Sequence, residues 1–461
     1  MNTDNLSLFH RRLIVAITLS AAFLSVLTQF MLITAFPKIM IDFKVNSTQV
    51  QWLTTGYMIT MAILIPITAF FIDRFKTRTL IMSAMLFYIL GTTIALFAPS
   101  FSILLIGRIV QGIGSGIMIP LMQTILFLVY PKDQRGYAMG LAGMVINVAP
   151  AVGPPISGVI IEYFEWRTLF LVALPIALLI FGMMYLFMRN ITEQRETKID
   201  FTSIFLSIIG FGSMLYGFTQ LQDGGPIETL TIISLSVGAL ALVLFTIRQL
   251  RLPKPILELR VLKVPVFIAV ALISVFSFSL LISIETILPM FVQNAQEYSP
   301  YYGGLIVMPG ALTLAFMSMF AGKLFDKHGG KLIAIIGFVL LGFSTIAYYL
   351  LLDLNTSFII TAILFMVAMG GVALINMPVM TIGINALPDK LIPHGTAVIN
   401  TARQFGGTLG LTFIISFISR AQGDSEVINT FNYLNGVKSA FLVAFVFAII
   451  GLILTLFIKE K

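Results

Sequence analysis

The feature that most constrains this chain is a series of apolar runs, each about 20 residues long and continuous rather than alternating. Within the hydrocarbon of a bilayer, only helices or closed barrels satisfy every backbone polar group. Of the 461 residues, 58% are hydrophobic and 10% are charged, whereas a soluble domain has about 25% charged residues. The sequence therefore predicts an all-α membrane protein surrounded by a lipid bilayer.

The runs define fourteen predicted spans. In order, these cover residues 13–36, 49–71, 79–98, 101–129, 137–161, 168–188, 201–219, 229–247, 266–292, 301–321, 332–352, 357–386, 395–418 and 437–458. An even number places both termini on one side, and the loops on that side hold 21 Lys and Arg residues against 5 on the other. By the positive-inside rule, both termini are predicted to be cytoplasmic. The net charge of +8 then needs no nucleic acid to explain it.

Several kinds of chemistry have little support in the sequence. There is no cysteine, and the three histidines, His10, His328 and His394, are scattered over predicted loops and helix edges, so no metal site is predicted. A phosphate-binding G-x-x-x-x-G-K-[ST] loop is absent, and no nucleophile–base pair can be assembled. We expect neither a cofactor nor an enzyme, and uphill transport would have to use an ion gradient.

Four short matches reveal an internal repeat with a spacing of 252 to 258 residues. The matched segments are Thr34-Ala-Phe-Pro37 with Thr286-Ile-Leu-Pro289, Asp73 with Asp326, Pro120 with Pro378, and Val145-Ile-Asn-Val-Ala149 with Val398-Ile-Asn-Thr-Ala402. Spans 1–6 thus repeat as spans 9–14, with spans 7 and 8 inserted. The predicted organisation is a six-helix bundle over 1–189, two extra helices over 190–263 and a second bundle over 264–461. Such repeats place a substrate site between two bundles near the membrane midplane.

Three motifs carry a family resemblance. The loop after the second span contains Asp73, Arg74 and Arg78. It lacks the glycines that flank the aspartate in the second copy of this loop. That second copy reads Gly322-Lys-Leu-Phe-Asp326-Lys-His-Gly329. The fourth span contains Arg108-Ile-Val-Gln111-Gly112-Ile-Gly114, and the fifth contains Gly153-Pro154-Pro155-Ile-Ser157-Gly158. These motifs resemble those of the major facilitator superfamily, and in particular its fourteen-helix drug:proton antiporters, the QacA-like group.

The resemblance implies roles for the motif residues. Arg108 would take part in proton coupling, and Gln111 and Gly112 would belong to the moving helix surfaces. Asp73 and Asp326, with their flanking arginines and glycines, would lock the cytoplasmic side. An outer gate would form where Gly153, Pro154 and Gly158 meet the tenth span. The alternative for Arg108 is a packing or capping role near the outer end of its helix.

Glu285 is the acid that the predicted spans place inside the membrane, while the other nineteen acids fall in loops or at helix ends. An ionisable residue within a span is costly and usually marks a substrate, ion or proton pathway. The related antiporters commonly carry an Asp in the first span, where this chain has Thr28, which shifts the expected proton chemistry to Glu285. We hypothesise that Glu285 binds a proton from outside and releases it inside, in competition with a cationic substrate. The alternative is a structural acid that is paired or reaches the outer surface.

The remaining polar residues within spans are candidates for the wall of a substrate cavity, because buried amides and cations seek protein or water partners. They are Thr28, Gln29, Gln123, Asn147, Asn376, Asn400, Arg403 and Gln404. Arg403 is also a candidate partner for Glu285. Asn147 and Asn400 are repeat mates and could equally tie helices together.

The sequence thus predicts a monomeric, proton-coupled exporter of small lipophilic drugs and dyes, cationic or zwitterionic, in a bacterial cell membrane. Export of one endogenous metabolite, such as an amino acid, peptide, siderophore or lipid, is the first alternative. A non-transporting sensor with a transporter fold is the second, and it would need a signalling domain that the sequence does not show.

Overall fold

The computed structural model describes residues 8–192, 194, 200–222, 228–422 and 430–458. Among these residues every regular element is a helix, which confirms the all-α prediction. The α-helices are α1 Leu8–Met31, α2 Phe36–Phe43, α3 Ser47–Arg74, α4 Thr77–Leu96, α5 Phe101–Val129, α6 Arg135–Tyr163, α7 Thr168–Phe187, α8 Phe201–Gln222, α9 Thr229–Arg251, α10 Pro265–Asn294, α11 Pro300–His328, α12 Gly330–Leu351, α13 Phe358–Asn385, α14 Ile392–Gln422 and α15 Thr430–Leu456. Short 3₁₀ helices lie at Ile33–Ala35, Lys132–Gln134, Leu259–Lys263 and Asp389–Leu391.

These helices make fourteen long spans, as predicted. The 3₁₀ turn Ile33–Ala35 joins α1 to α2, so the two form the first span, and each helix from α3 to α15 forms one more. In the described part of the chain, 13 helices are long and apolar enough to cross a membrane. The remaining long helix, α14, is less apolar because it carries His394, Asn400, Arg403 and Gln404.

The spans pack as two bundles. The first consists of α1 to α7 and the second of α10 to α15. In each bundle one helix pair meets through glycines at equivalent places. A Cβ on Gly114 of α5 would lie 2.9 Å from the backbone nitrogen of Tyr88 in α4, and one on Gly371 of α13 would lie 3.1 Å from that of Leu341 in α12. Only glycine allows such close approach, so the repeat extends to packing.

The inserted helices α8 and α9 form an antiparallel pair that lies against α3 of the first bundle and α14 of the second. The Arg248 guanidinium at the end of α9 donates hydrogen bonds of 2.8 and 2.9 Å to Asp200, just before α8. The pKa of the Asp200 carboxyl is lowered to about 2, chiefly because of these hydrogen bonds from Arg248. Because α8 contacts both α3 and α14, this helix pair, which we call the inserted hairpin, lies across the seam between the bundles.

The bundles contact each other along α6 with α11 and along α3 with α14. We call the side of the molecule that carries Leu8 and Ile458 the terminal face. The polar contacts between bundles described below lie on this half, and a cavity lies beyond them.

Candidate functional site

A cavity of about 400 Å³ lies between the two bundles. Helices α1, α3, α5 and α6 of the first bundle and α10, α11, α13 and α14 of the second supply its walls. Most lining side chains are apolar. The structure also places seven of the polar residues singled out from the sequence in this lining: Gln29, Gln123, Asn147, Glu285, Asn400, Arg403 and Gln404.

Glu285 lies on α10, on the wall that also presents Leu281 and Ile282 to the cavity. Its side chain is half-buried. Among the described residues, no hydrogen bond or ion pair engages its carboxyl group. A carboxyl group in apolar surroundings without a protein partner is available to a proton or to a cationic ligand.

Arg403 lies on α14 and is 8% exposed. Its guanidinium carbon sits 5.0 Å from the centroid of the Phe278 ring, which also lines the cavity. Within the described ranges the guanidinium makes no hydrogen bond and no ion pair. The pairing of Arg403 with Glu285 considered from the sequence is therefore not formed in this conformation.

Two amide contacts close the cavity on the side of the terminal face. Asn400 donates a hydrogen bond of 2.5 Å to the Gln123 side chain, and Asn147 donates one of 3.2 Å to the hydroxyl of Ser318. Each bond joins one bundle to the other. Three of the lining amides thus serve closure, while Gln29 and Gln404 have no side-chain hydrogen bond among the described residues.

Two aspartates reinforce this closure at the terminal face itself. Asp326 accepts hydrogen bonds from the backbone amides of Gly136, at 2.9 Å, and Tyr137, at 2.7 Å, in the first turn of α6. A carboxylate is favourable there because the amides and the helix dipole both attract it. Asp73, at the end of α3, lies 3.1 Å from Nε2 of His394 in the first turn of α14.

A third interbundle contact involves Arg135, which is 4% exposed. It donates hydrogen bonds of 3.1 Å to both Asp389 and Asn385 in the second bundle. His394 lies at a helix edge, as predicted, in the first turn of α14. It is buried there, since it is 4% exposed and its Nδ1 accepts a bond from the Glu258 amide.

The flanking motif residues hold the loops of the terminal face. Arg74 is the last residue of α3, next to Asp73. Arg78 donates a hydrogen bond of 2.5 Å to the Tyr185 carbonyl. Gly329 separates α11 from α12 with φ at 78°, a value that favours glycine.

Helices α6 and α11 touch at glycines near the terminal face. A Cβ on Gly322 would lie 2.9 Å from the Gly140 Cα and would also meet the Gly136 carbonyl oxygen. Farther from this face the two helices diverge, since a Cβ on Gly158 would meet no atom within 4 Å.

Among the described residues, the two glycines of the α6 glycine and proline motif make no close approach to α11 in this conformation. A Cβ on Gly153 would lie 3.2 Å from Phe30 of α1, and Pro154 is half-buried beside it. The adjoining Ser157 is hydrogen-bonded to Thr34, also of the first span. At Gly158, away from the terminal face, the seam is therefore open, while the terminal half is closed.

Arg108 is fully buried inside the first bundle and is not part of the cavity lining. Its Nε donates to the Leu53 carbonyl at 3.2 Å, one terminal nitrogen donates to Gln111 at 2.8 Å, and its guanidinium lies 4.4 Å from the Tyr57 ring centroid. The other terminal nitrogen has no partner among the described residues. A Cβ on the nearby Gly112 would lie 2.9 Å from the Tyr57 carbonyl oxygen, so α5 and α3 pack tightly here.

Two residues expected in the cavity lie elsewhere. Thr28 is 6% exposed, and its hydroxyl is hydrogen-bonded at 2.9 Å to Tyr88 of α4 and to carbonyls of its own helix. Asn376 accepts a bond of 2.9 Å from Ser277, which joins α13 to α10. Both side chains are hydrogen-bonded inside their own bundles, and neither belongs to the cavity lining.

The inserted helix α8 also lines the cavity, which was not predicted from the sequence. Leu215 and Thr219 are part of the wall, and Tyr216 stacks on Trp52 of α3 with ring centroids 5.9 Å apart. Thr412 of α14 donates to the Phe218 carbonyl at 3.4 Å. The sequence contains little that could have indicated this, because Thr219 is one of several polar residues in α8, with Ser207, Ser213 and Gln220.

These helices make the chain a multi-pass membrane protein with a cavity between its two bundles. The family model of the Major Facilitator Superfamily matches residues 18–411. The chain belongs to this superfamily of membrane transporters.

Two bacterial relatives match along most of the chain. The uncharacterized MFS-type transporter YcnB of Bacillus subtilis is 44% identical over 453 residues, covering 98% of this chain and 96% of that protein. The lincomycin resistance protein LmrB of Bacillus subtilis is 37% identical over 455 residues, covering 96% of this chain and 94% of its own.

A solved structure supports the fold. The human organic anion transporter MFSD10 matches with a TM-score of 0.66 at 12% identity, covering 96% of this chain and 99% of that one. At this identity, the similarity concerns the fold alone.

Proposed function

We propose that the protein is a proton-coupled antiporter that exports lipophilic cationic or zwitterionic drugs and dyes across the bacterial cell membrane. The observation that carries the proposal is the position of Glu285: a carboxyl group without a partner among the described residues, in the apolar wall of a cavity between two bundles. The resistance name of the LmrB relative supports export of antibiotics as the direction and purpose of transport.

The terminal face is assigned to the cytoplasm because the loops and termini of that side hold most of the Lys and Arg residues. The conformation described above is then outward-facing. A proton that reaches Glu285 from outside would neutralise the carboxylate and weaken its attraction for a cationic substrate, which would leave outward.

The return half of the cycle follows from the contacts. The Asp326 and Asp73 contacts would break, the α6 face that carries Gly158 would close on α11, and the cavity would open to the cytoplasm. Glu285 would then release its proton and bind the next cation. Because one chain supplies both bundles, we propose a monomer as the transporting unit.

The lining favours lipophilic substrates over a dedicated polar metabolite. Gln123, Asn147 and Asn400 engage in closure. This leaves two amides and two charged groups on an otherwise mainly apolar surface, with methionine and phenylalanine among its residues. Such a surface suits varied ligands.

Everted membrane vesicles with an imposed pH gradient would test the proposal. Ethidium, a fluoroquinolone and lincomycin should each accumulate in vesicles that contain the protein, and a protonophore should abolish accumulation. Accumulation of none of the three, or accumulation that persists without a gradient, would contradict the proposal.

A further inference from the structure

Arg403 differs from the other deeply buried arginines of the described chain in having no hydrogen-bonding partner. Arg108 donates to Leu53 and Gln111, and Arg135 donates to Asp389 and Asn385. Arg403 has only the Phe278 ring, although it is 8% exposed. A buried guanidinium is always charged, and it is costly unless an anion or several acceptors satisfy its donors.

The position of Arg403 indicates where such an anion would come from. It lines the central cavity together with Glu285, and the described lining contains no second acid. Since the two do not pair, the cavity presents one positive and one negative group, each without a partner in the part of the chain that the structure describes. A ligand with only a cationic group would satisfy Glu285 and leave Arg403 unpaired.

We infer that Arg403 is an anion subsite, which binds the carboxylate of an amphoteric lipophilic substrate whose amine faces Glu285. The planar guanidinium can hold a carboxylate through two parallel hydrogen bonds. Phe278, against which it is stacked, would contact the aromatic part of the same ligand. The inference rests on the proposed export function and narrows its substrate class to aromatic zwitterions.

A pair of dyes that differ only in the carboxyl group tests the subsite. Rhodamine B carries a carboxylate beside its cationic ring system, and its ethyl ester carries the cation alone. The dissociation constants of both dyes would be measured by fluorescence polarisation on the full-length protein in detergent. The ratio of the two constants, taken on one preparation, does not depend on the fraction of correctly folded protein.

The variants are Arg403→Gln, Arg403→Lys and Glu285→Gln. Arg420→Gln is the matched control, since Arg420 is an exposed arginine on α14 that also lies over a phenylalanine ring, 6.0 Å from Phe417. Arg403→Gln should lower the preference for the acid over the ester by about tenfold, the effect of losing a charge-assisted bond. Arg403→Lys should recover part of the preference, and Arg420→Gln should not change it.

Glu285→Gln should weaken the binding of both dyes to a similar extent, because both carry the cation. An unchanged acid-to-ester ratio in Arg403→Gln would overturn the subsite, as would wild-type protein that binds the ester but not the acid. Either result leaves the export function intact when the vesicles still accumulate ethidium. Failure of the wild type to bind either dye would overturn the proposed substrate class, and vesicles that accumulate no drug would overturn the function itself.

Discussion

Asp73 and Asp326 are repeat mates, and each contacts the first turn of a helix in the opposite bundle. Asp73 meets His394 on α14, and Asp326 meets the amides of α6. Because α6 and α14 are themselves equivalent helices of the two bundles, the closure of the terminal face has approximate twofold symmetry. Its two halves are not identical, since Asp326 binds backbone amides and Asp73 binds a side chain.

Asp326→Asn should loosen the closed terminal face. The amide has one acceptor oxygen and no charge, so it cannot satisfy both the Gly136 and Tyr137 amides as the carboxylate does. Since the chain has no cysteine, a single Ser318→Cys reporter can be placed in the seam. Its alkylation by an impermeant maleimide added on the terminal side should become about tenfold faster.

The matched control for this experiment is Asp353→Asn, which removes an exposed aspartate outside the contact between bundles. Its reporter should react at the same rate as in the parent. Equal alkylation rates in Asp326→Asn and the parent would show that Asp326 does not hold the face closed.

Gly158→Leu should trap the outward-facing state. Gly158 follows Gly140 by eighteen residues and Asn147 by eleven, close to five and three whole turns at about 3.6 residues per turn, so it lies on the α6 face that meets α11. A leucine fits the present open space but would obstruct closure of the outer half. We expect dye binding to persist while transport falls by at least about tenfold.

Gly182→Leu on α7 is the control, because a Cβ there also meets nothing within 4 Å but lies away from the seam. It should transport at the parental rate. If Gly158→Leu transports equally well, the face is not an outer gate.

Thr219→Trp should restrict the cavity from the inserted hairpin. Thr219 of α8 belongs to the cavity lining, so a bulky side chain would occupy space that a ligand needs. The binding of large dyes should therefore weaken severalfold more than the binding of small ones. Leu240→Trp on the exposed side of α9, where Leu240 is 61% exposed, should affect neither. If Thr219→Trp changes the affinity for large and small dyes equally, α8 does not limit the ligand space and only packs at the periphery.

Arg108→Lys distinguishes a role of Arg108 in proton coupling from a role in helix packing. Lysine keeps the charge but loses the fork that reaches Leu53 and Gln111 together. If Arg108 serves proton coupling, substrate exchange without a gradient should survive while gradient-driven uptake falls by at least about tenfold. Parallel loss of both activities, with a lower melting temperature, would instead indicate a structural role.

Hydropathy and the internal repeat were sufficient to predict the spans and the fold, because a bilayer imposes length and apolarity directly on the sequence. Glu285 could be placed near the cavity for a similar reason: an acid on the lipid side would be too costly to keep. These predictions depend on the properties of the membrane and not on which residues neighbour one another in the fold.

The facing of other polar residues could not be predicted. Thr28 and Asn376 are hydrogen-bonded to Tyr88 and Ser277. In a helix that is apolar all round, no periodicity shows which side a hydroxyl or amide faces. The contribution of α8 to the cavity and the burial of His394 depend on packing between segments distant in the sequence. Neither has a local signal.

Proton release driven by substrate, measured in proteoliposomes for wild type and Glu285→Gln, tests the central claim most directly. Ethidium and a fluoroquinolone would be added to protein reconstituted without a pH gradient. We predict proton release from the wild type and none from Glu285→Gln, whose melting temperature should match that of the wild type. Release of equal size from the variant would contradict the assignment of proton coupling to Glu285.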